Sequence, residues 1–116
     1  MRTLDTTGKN IKIYFKIKDA ELNRLLYDTV KQFNLKINQN NYKLQIQFEF
    51  NGFDLHKIIG IKEINCIPID IHVHDYIGNE RVILSKNFHV EELSVCSLDK
   101  DTDNILCTIT FTNVKL

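Results

Sequence analysis

Apolar and polar side chains alternate over residues 10–18, with Ile11, Ile13, Phe15 and Ile17 on one side and Lys12, Tyr14, Lys16 and Lys18 on the other. A period of two sends successive side chains to opposite faces of a strand, so this segment predicts a strand with one wet face. Asp19 then stands where an N-cap accepts from a first-turn N–H, with Glu21 near the positive end of the dipole. Leu22, Leu25, Leu26, Val30 and Phe33 recur at helical spacing on one stripe. They predict one amphipathic helix over about 19–33, with Asn34 as its left-handed stop.

Everything after that helix reads as strand. A short candidate at 35–37 precedes the polar turn Asn38-Gln39-Asn40-Asn41. Over 42–50 the alternation is clean: Tyr42, Leu44, Ile46, Phe48 and Phe50 against Lys43, Gln45, Gln47 and Glu49. Asn51-Gly52 follows at once, a strong hairpin signal, so a return strand is expected over 53–61 with Gly60 at a bulge or bend. Pro68 opens the next strand, which sets Ile69, Ile71 and Val73 inward and Asp70, His72 and His74 outward. Ile77-Gly78-Asn79 turns into a strand at 81–85. Further strands fall at 88–96 and 105–114, separated by an acidic loop. Six to eight short strands with one helix predict a β-rich α+β fold. It is expected to be a mostly antiparallel sandwich or partly open barrel, with the helix across one face or open end. No repeat or Pro/Gly/Ser linker divides residues 1–116, so one domain is expected.

Composition changes this picture little. Hydrophobic residues are 43% and charged residues 26% of 116, the balance of an ordinary globular chain. No apolar run approaches the roughly 20 residues of a membrane span, and residues 1–5 lack a signal core. A cytoplasmic protein without a membrane partner is expected. Cys66, Cys96 and Cys107 are odd in number and lack Cys-x-x-Cys spacing, which predicts buried, reduced thiols rather than a disulfide framework or zinc ribbon. The chain is rich in Ile (16), Asn (12) and Lys (12), residues specified by AT-rich codons. Low-GC bacteria, their phages and plasmids, and some parasites have genomes of that kind.

Net charge is zero, which argues against bulk electrostatic binding to nucleic acid. The zero conceals a split: residues 1–62 carry +5 and residues 63–116 carry −5. Either basic and acidic strands neutralise each other across one sheet, or the two ends differ in sign and copies stack head to tail.

Three constellations are candidates for chemistry. Asp70, His72 and His74 share a strand face, where two imidazoles and a carboxylate suit a divalent metal used by an enzyme or sensor. His56 or His89 is the available further ligand. The His-x-His pattern resembles that of cupins, without that family's glycines or second His motif. Asp99, Asp101 and Asp103 imitate the first half of a calcium loop, but Asn104 and Thr110 stand where Gly and Glu are needed, so an acidic turn is expected. Lys9, Lys12, Lys16 and Lys18 with Tyr14 form a basic strip that either tracks a phosphate backbone or guards a sheet edge. No phosphate loop, nucleophile elbow or zincin motif occurs.

Residues 48–53, continuing to Ile58, Ile59, Gly60 and Ile61, resemble strand–turn–strand stretches of small phage tail proteins. Residues 105–116 are similar to the closing strands of tail-tube and hub folds. The resemblance spans about a third of the chain. It implies β-sandwich subunits assembling in rings. The function expected is therefore a non-enzymatic protein-binding or assembly module of a phage or mobile element, a tail-type subunit. The alternatives are a small inhibitor or immunity protein that masks a partner, and a metal-dependent enzyme or sensor. Lys12, Tyr14, Lys16, Lys18, Phe53, Asp99, Asp101 and Asp103 are the expected interaction surface, for a protein partner or self-association. No cofactor beyond that candidate divalent metal is expected.

Overall fold

A computed structural model describes residues 2–6, 10–74, 77–97 and 103–115. The alternating segments form β1 (Arg2–Thr6), β2 (Ile11–Phe15), β3 (Val30–Asn38), β4 (Asn41–Asn51), β5 (Ile67–His74), β6 (Glu80–Ser97) and β7 (Asn104–Asn113). They make one sheet, ordered β1-β3-β4-β7-β6-β5-β2, with every neighbouring pair antiparallel. Two helices, α1 (Ala20–Thr29) and α2 (Leu55–Ile59), connect β2 to β3 and β4 to β5. The fold is the expected β-rich α+β arrangement, and the continuous sheet curls into a half-barrel.

The curl originates in β6. Two strands are predicted there, yet β6 runs unbroken for 18 residues. Phe88 lies opposite Ile67 of β5 and also opposite Asn113 of β7, so each half of β6 serves a different neighbour. The register skips Ile83 on one side and Glu91 on the other. Such bulges bend a strand and sharpen its twist. The β2–β5 layer is thereby laid over the β4–β7 layer, and Phe15 meets Phe48 and Phe111 at centroid distances of 6.1 and 5.9 Å. Leu44, Ile46, Phe48, Ile69, Ile71, Phe88, Ile109 and Phe111 fill the space between, all fully buried. Each such side chain contributes roughly 1.5–3 kcal/mol on burial.

The helical parts differ from expectation. Asp19 caps α1 as predicted, its Oδ1 accepting from Leu22 N–H at 3.2 Å. The helix nevertheless stops at Thr29, well short of residue 33. From Val30 the chain is extended, and Phe33, Leu35 and Ile37 alternate with Asn34, Lys36 and Asn38. Phe33 fits both the helical stripe through Leu26 and Val30 and the alternation with Leu35 and Ile37; a register shift between Val30 and Gln32 separates the two patterns, and pairing with β4 decides for the strand. Asn34 therefore lies within β3 and stops no helix.

The return strand after Asn51-Gly52 is absent. Gly52–Asp54 and Gly60–Glu63 are 3₁₀ turns flanking α2. Asn51 Oδ1 accepts from Phe53 N–H at 2.9 Å, and Leu55, Ile58 and Ile61 recur every third residue, burying Ile58 and Ile61. The partner of β4 comes instead from far along the chain, with Asn51 opposite Asn104 of β7. Of the thiols, only Cys107 is buried, and Cys66 and Cys96 are exposed. Burial, with Cys96 nearby, pushes the Cys107 thiol up to about 11. Among the described residues no helix is long and apolar enough to cross a membrane.

Candidate functional site

The outer face of β2, β5 and β6 gathers two constellations that the sequence keeps apart. Register places Tyr14 opposite Asp70, Lys12 opposite His72, Asp70 opposite Ser85 and His74 opposite Glu80. Asp70 is buried, accepts from Ser85 Oγ at 2.6 Å and pairs with Lys16. Burial alone would raise its carboxyl, but the bonds from Lys16 and Ser85 and the Lys16 charge outweigh it and hold the group below its ordinary value. Glu80 Oε1 accepts from Tyr14 Oη at 2.9 Å. That bond, with the nearby His74 and His72, holds the Glu80 carboxyl low. Burial and the same bond raise the Tyr14 phenol.

His72 Nδ1 and His74 Nε2 each lie 3.2 Å from Glu80 Oε1, but out of line for hydrogen bonds. His72 Nε2 is 3.9 Å from Asp70 Oδ2. Asp70, His72 and His74 do share a face, as the spacing predicts. Asp70 is engaged by Ser85 and Lys16, and Glu80 stands between the rings. Among the described residues no group of three or more His, Cys, Asp or Glu side chains is arranged to hold a metal ion. His89 bonds instead with Thr112 at 3.1 Å, and His56 is an exposed residue of α2.

A groove runs beside this face. Ile11, Lys12 and Ile13 line a cleft of about 380 Å³ with Tyr27, Asp28, Val30 and Phe33. Tyr14 and Phe15 line a second, of about 490 Å³, with Ala20, Asn23, Arg24, Tyr27 and Asp28. Tyr27 belongs to both and stacks on Tyr14, centroids 4.9 Å apart and rings 11° from parallel. All of β2 therefore borders the groove, with α1 and the start of β3 as the opposite wall.

The backbone of β2 has a definite phase toward that groove. Among the described residues β2 is the last strand of the sheet and pairs only with β5. His74 N–H donates to Asn10 O at 2.7 Å, and Lys16 N–H donates to Pro68 O at 2.9 Å. In an antiparallel ladder, hydrogen-bonded pairs alternate with non-bonded ones. Even-numbered residues from 10 to 16 thus turn their backbone groups to β5, and odd-numbered ones turn theirs away. Ile17 continues the outward set, and Asn23 of α1 satisfies it twice: Ile17 N–H donates to Asn23 Oδ1 at 2.8 Å, and Asn23 Nδ2 donates to Ile17 O at 2.6 Å. One carboxamide serves as a single residue of an added strand. Beyond it, the outward N–H and C=O groups of Ile11, Ile13 and Phe15 have no hydrogen-bond partner among the described residues.

The other expected surface residues lie elsewhere. Phe53 is 87% exposed at the corner between β4 and α2. Gly52 N–H donates to Asp103 O at 2.7 Å, which places Asp103 beside that corner. A Cβ on Gly52 would come within 3.1 Å of that oxygen. Lys18 is exposed in the loop before α1, and Asp99 and Asp101 lie outside the described residues. The charge halves are neighbours in the sheet, and Lys16–Asp70 and Lys43–Glu91 pair across them within one molecule.

Glu80, Asn23 and Tyr27 were not singled out from sequence. Glu80 was within reach, because residues equidistant from the Ile77-Gly78-Asn79 turn face each other in a hairpin. Asn23 and Tyr27 fall off the apolar stripe of α1, and nothing in the sequence ties either to β2. Comparison with protein-family models, curated proteins and solved structures finds no match.

Proposed function

We propose that this chain is a non-enzymatic protein-binding module whose partner seats along β2. The observation that carries the reading is the pair of open clefts between β2 and α1, meeting at Tyr27, with a cationic, aromatic face at their lip. Recognition by surface suits this region better than chemistry does. Both nitrogens of His72 and Nε2 of His74 are buried without a hydrogen-bond partner and lie against the carboxylates of Glu80 and Asp70. Masking of a partner protein by a single copy fits the fold more closely than head-to-tail stacking. Stacking draws on separated charged ends, and here basic and acidic strands meet inside one molecule.

A photo-crosslinking residue at Lys12, with a control at Lys36 on β3, tests the reading in lysate of the organism that encodes the chain. A discrete protein adduct at Lys12 and none at Lys36 is the expected result. Identical patterns at the two positions refute it.

A further inference from the structure

We propose that the free edge of β2 is a strand-addition site for an extended segment of a partner protein in which apolar and acidic residues alternate. The inference rests on the protein-binding reading and supplies its mode. Three successive outward residues, Ile11, Ile13 and Phe15, present N–H and C=O groups at the repeat of an extended backbone. A guest strand of about five residues satisfies all of them, and main-chain hydrogen bonds of this kind supply affinity whatever the guest sequence. The protein already makes this contact once on its own: Asn23 pairs with both backbone groups of Ile17 in the way a guest residue would. The edge is thus capped at Ile17, while beside Ile11, Ile13 and Phe15 its outward backbone groups have no partner among the described residues and Tyr27 of α1 comes up against Tyr14.

The side chains on either side of that edge set the guest's chemistry. Alternate residues of an added strand point to the two faces of the sheet. On the inner side they meet Ile11, Ile13, Val30 and Phe33, the aliphatic and aromatic lining of a cleft whose α1 wall carries Tyr27 and Asp28, and that lining calls for apolar residues. On the outer side they meet Lys12, Tyr14 and Lys16. Lys12 has no ion-pair partner among the described residues, and it calls for a carboxylate. A second copy is a poorer guest through the same strand, because pairing β2 with β2 would draw the lysines of both copies into one ribbon, and like charges oppose such pairing.

Amide hydrogen exchange read by NMR on the full chain tests this, with the peptide acetyl-Glu-Val-Asp-Val-Glu-Val-amide as probe. In the free protein the amides of Ile11, Ile13 and Phe15 should exchange at least about tenfold faster than those of Lys12, Tyr14 and Ile17, whose N–H groups are bonded. The peptide should slow the first three by about tenfold or more, and its counterpart with Lys in place of the acids should not. Ile11→Pro removes one outward donor and leaves the β5 ladder intact, which slow Lys12 and Tyr14 amides would verify. It should weaken peptide binding by roughly three- to tenfold, the worth of one hydrogen bond. Fast exchange that the acidic peptide leaves unchanged overturns the proposal, as does protection of the three amides in the free protein at all concentrations. Protection that grows with protein concentration alone also overturns it and assigns the edge to a second copy. An adduct at Lys12 with these amides still unprotected would sink strand addition while leaving the protein-binding reading standing.

Discussion

Replacing Asn23 with Ala tests whether α1 is fastened to β2 through that one carboxamide. The substitution removes two partly buried hydrogen bonds, from Ile17 N–H to Oδ1 at 2.8 Å and from Nδ2 to Ile17 O at 2.6 Å. Neutral hydrogen bonds contribute about 0.5–1.5 kcal/mol each, so the gross loss is about 1–3 kcal/mol. Ala is the better helix former by about 0.7 kcal/mol, which leaves a net destabilisation of about 0.3–2.3 kcal/mol, centred at about 1.3 kcal/mol. In a domain of this size the central value lowers the melting temperature by roughly 5 °C. Urea unfolding gives the cleaner measure: the midpoint should fall with the slope unchanged, since the surface exposed on unfolding is nearly the same. Asn23→Asp is the companion variant. It keeps the acceptor for Ile17 N–H but turns a carboxylate toward Ile17 O, so it should destabilise at least as much as Ala. A change below about 0.3 kcal/mol in both variants would refute the reasoning, because neither bond could then be holding the helix to the strand.

Three further outcomes follow from particular residues. Asp70 titrates below its ordinary value of 3.8 in the folded protein, so its stabilising contribution is complete above that pH and is lost as pH falls through the lower folded value. Asp70→Asn should cost about 1.5–3 kcal/mol at neutral pH by weakening charge-assisted bonds, and acid unfolding curves of the variant should be flatter below about pH 4. Gln39 holds a φ of 57° in the two-residue loop between Asn38 and Asn41, so Gln39→Gly should raise stability by about 0.5–1 kcal/mol in thermal melts. Alkylation of the native protein at pH 8, read by mass spectrometry, should modify Cys66 and Cys96 and spare Cys107, whose thiol is buried and poorly ionised.

What the sequence made legible were the features whose cause is local. The alternation in β2, β4, β5 and β7 is written residue by residue, and so is the Asp19 cap. The shared face of Asp70, His72 and His74 follows from strand spacing alone. The errors fall where two local rules apply to one segment. Phe33 suits the helix stripe that includes Val30 and also the strand alternation with Leu35 and Ile37, and the competing partner, β4, is a tertiary fact. Asn51-Gly52 signals a hairpin, yet the same Asn can cap a helical turn, and residues 55–61 have the apolar spacing to continue one. The pairing of Tyr14 with Glu80, the filling of Ile17 by Asn23 and the open run beside Ile11 depend on strand order. Strand order is set by contacts between distant parts of the chain, and single-residue patterns do not encode it.

The double membership of β6 also bears on how the molecule comes apart. Because one ribbon of backbone is a wall of both layers, neither layer can detach without tearing a ladder in the other. Loss of structure should therefore be cooperative, with a single transition whichever spectroscopic probe is followed. The same arrangement defers assembly: β4 must wait for β7, more than fifty residues later in synthesis, before its second neighbour exists. Folding dominated by such distant pairings belongs to the slow, millisecond-to-second regime.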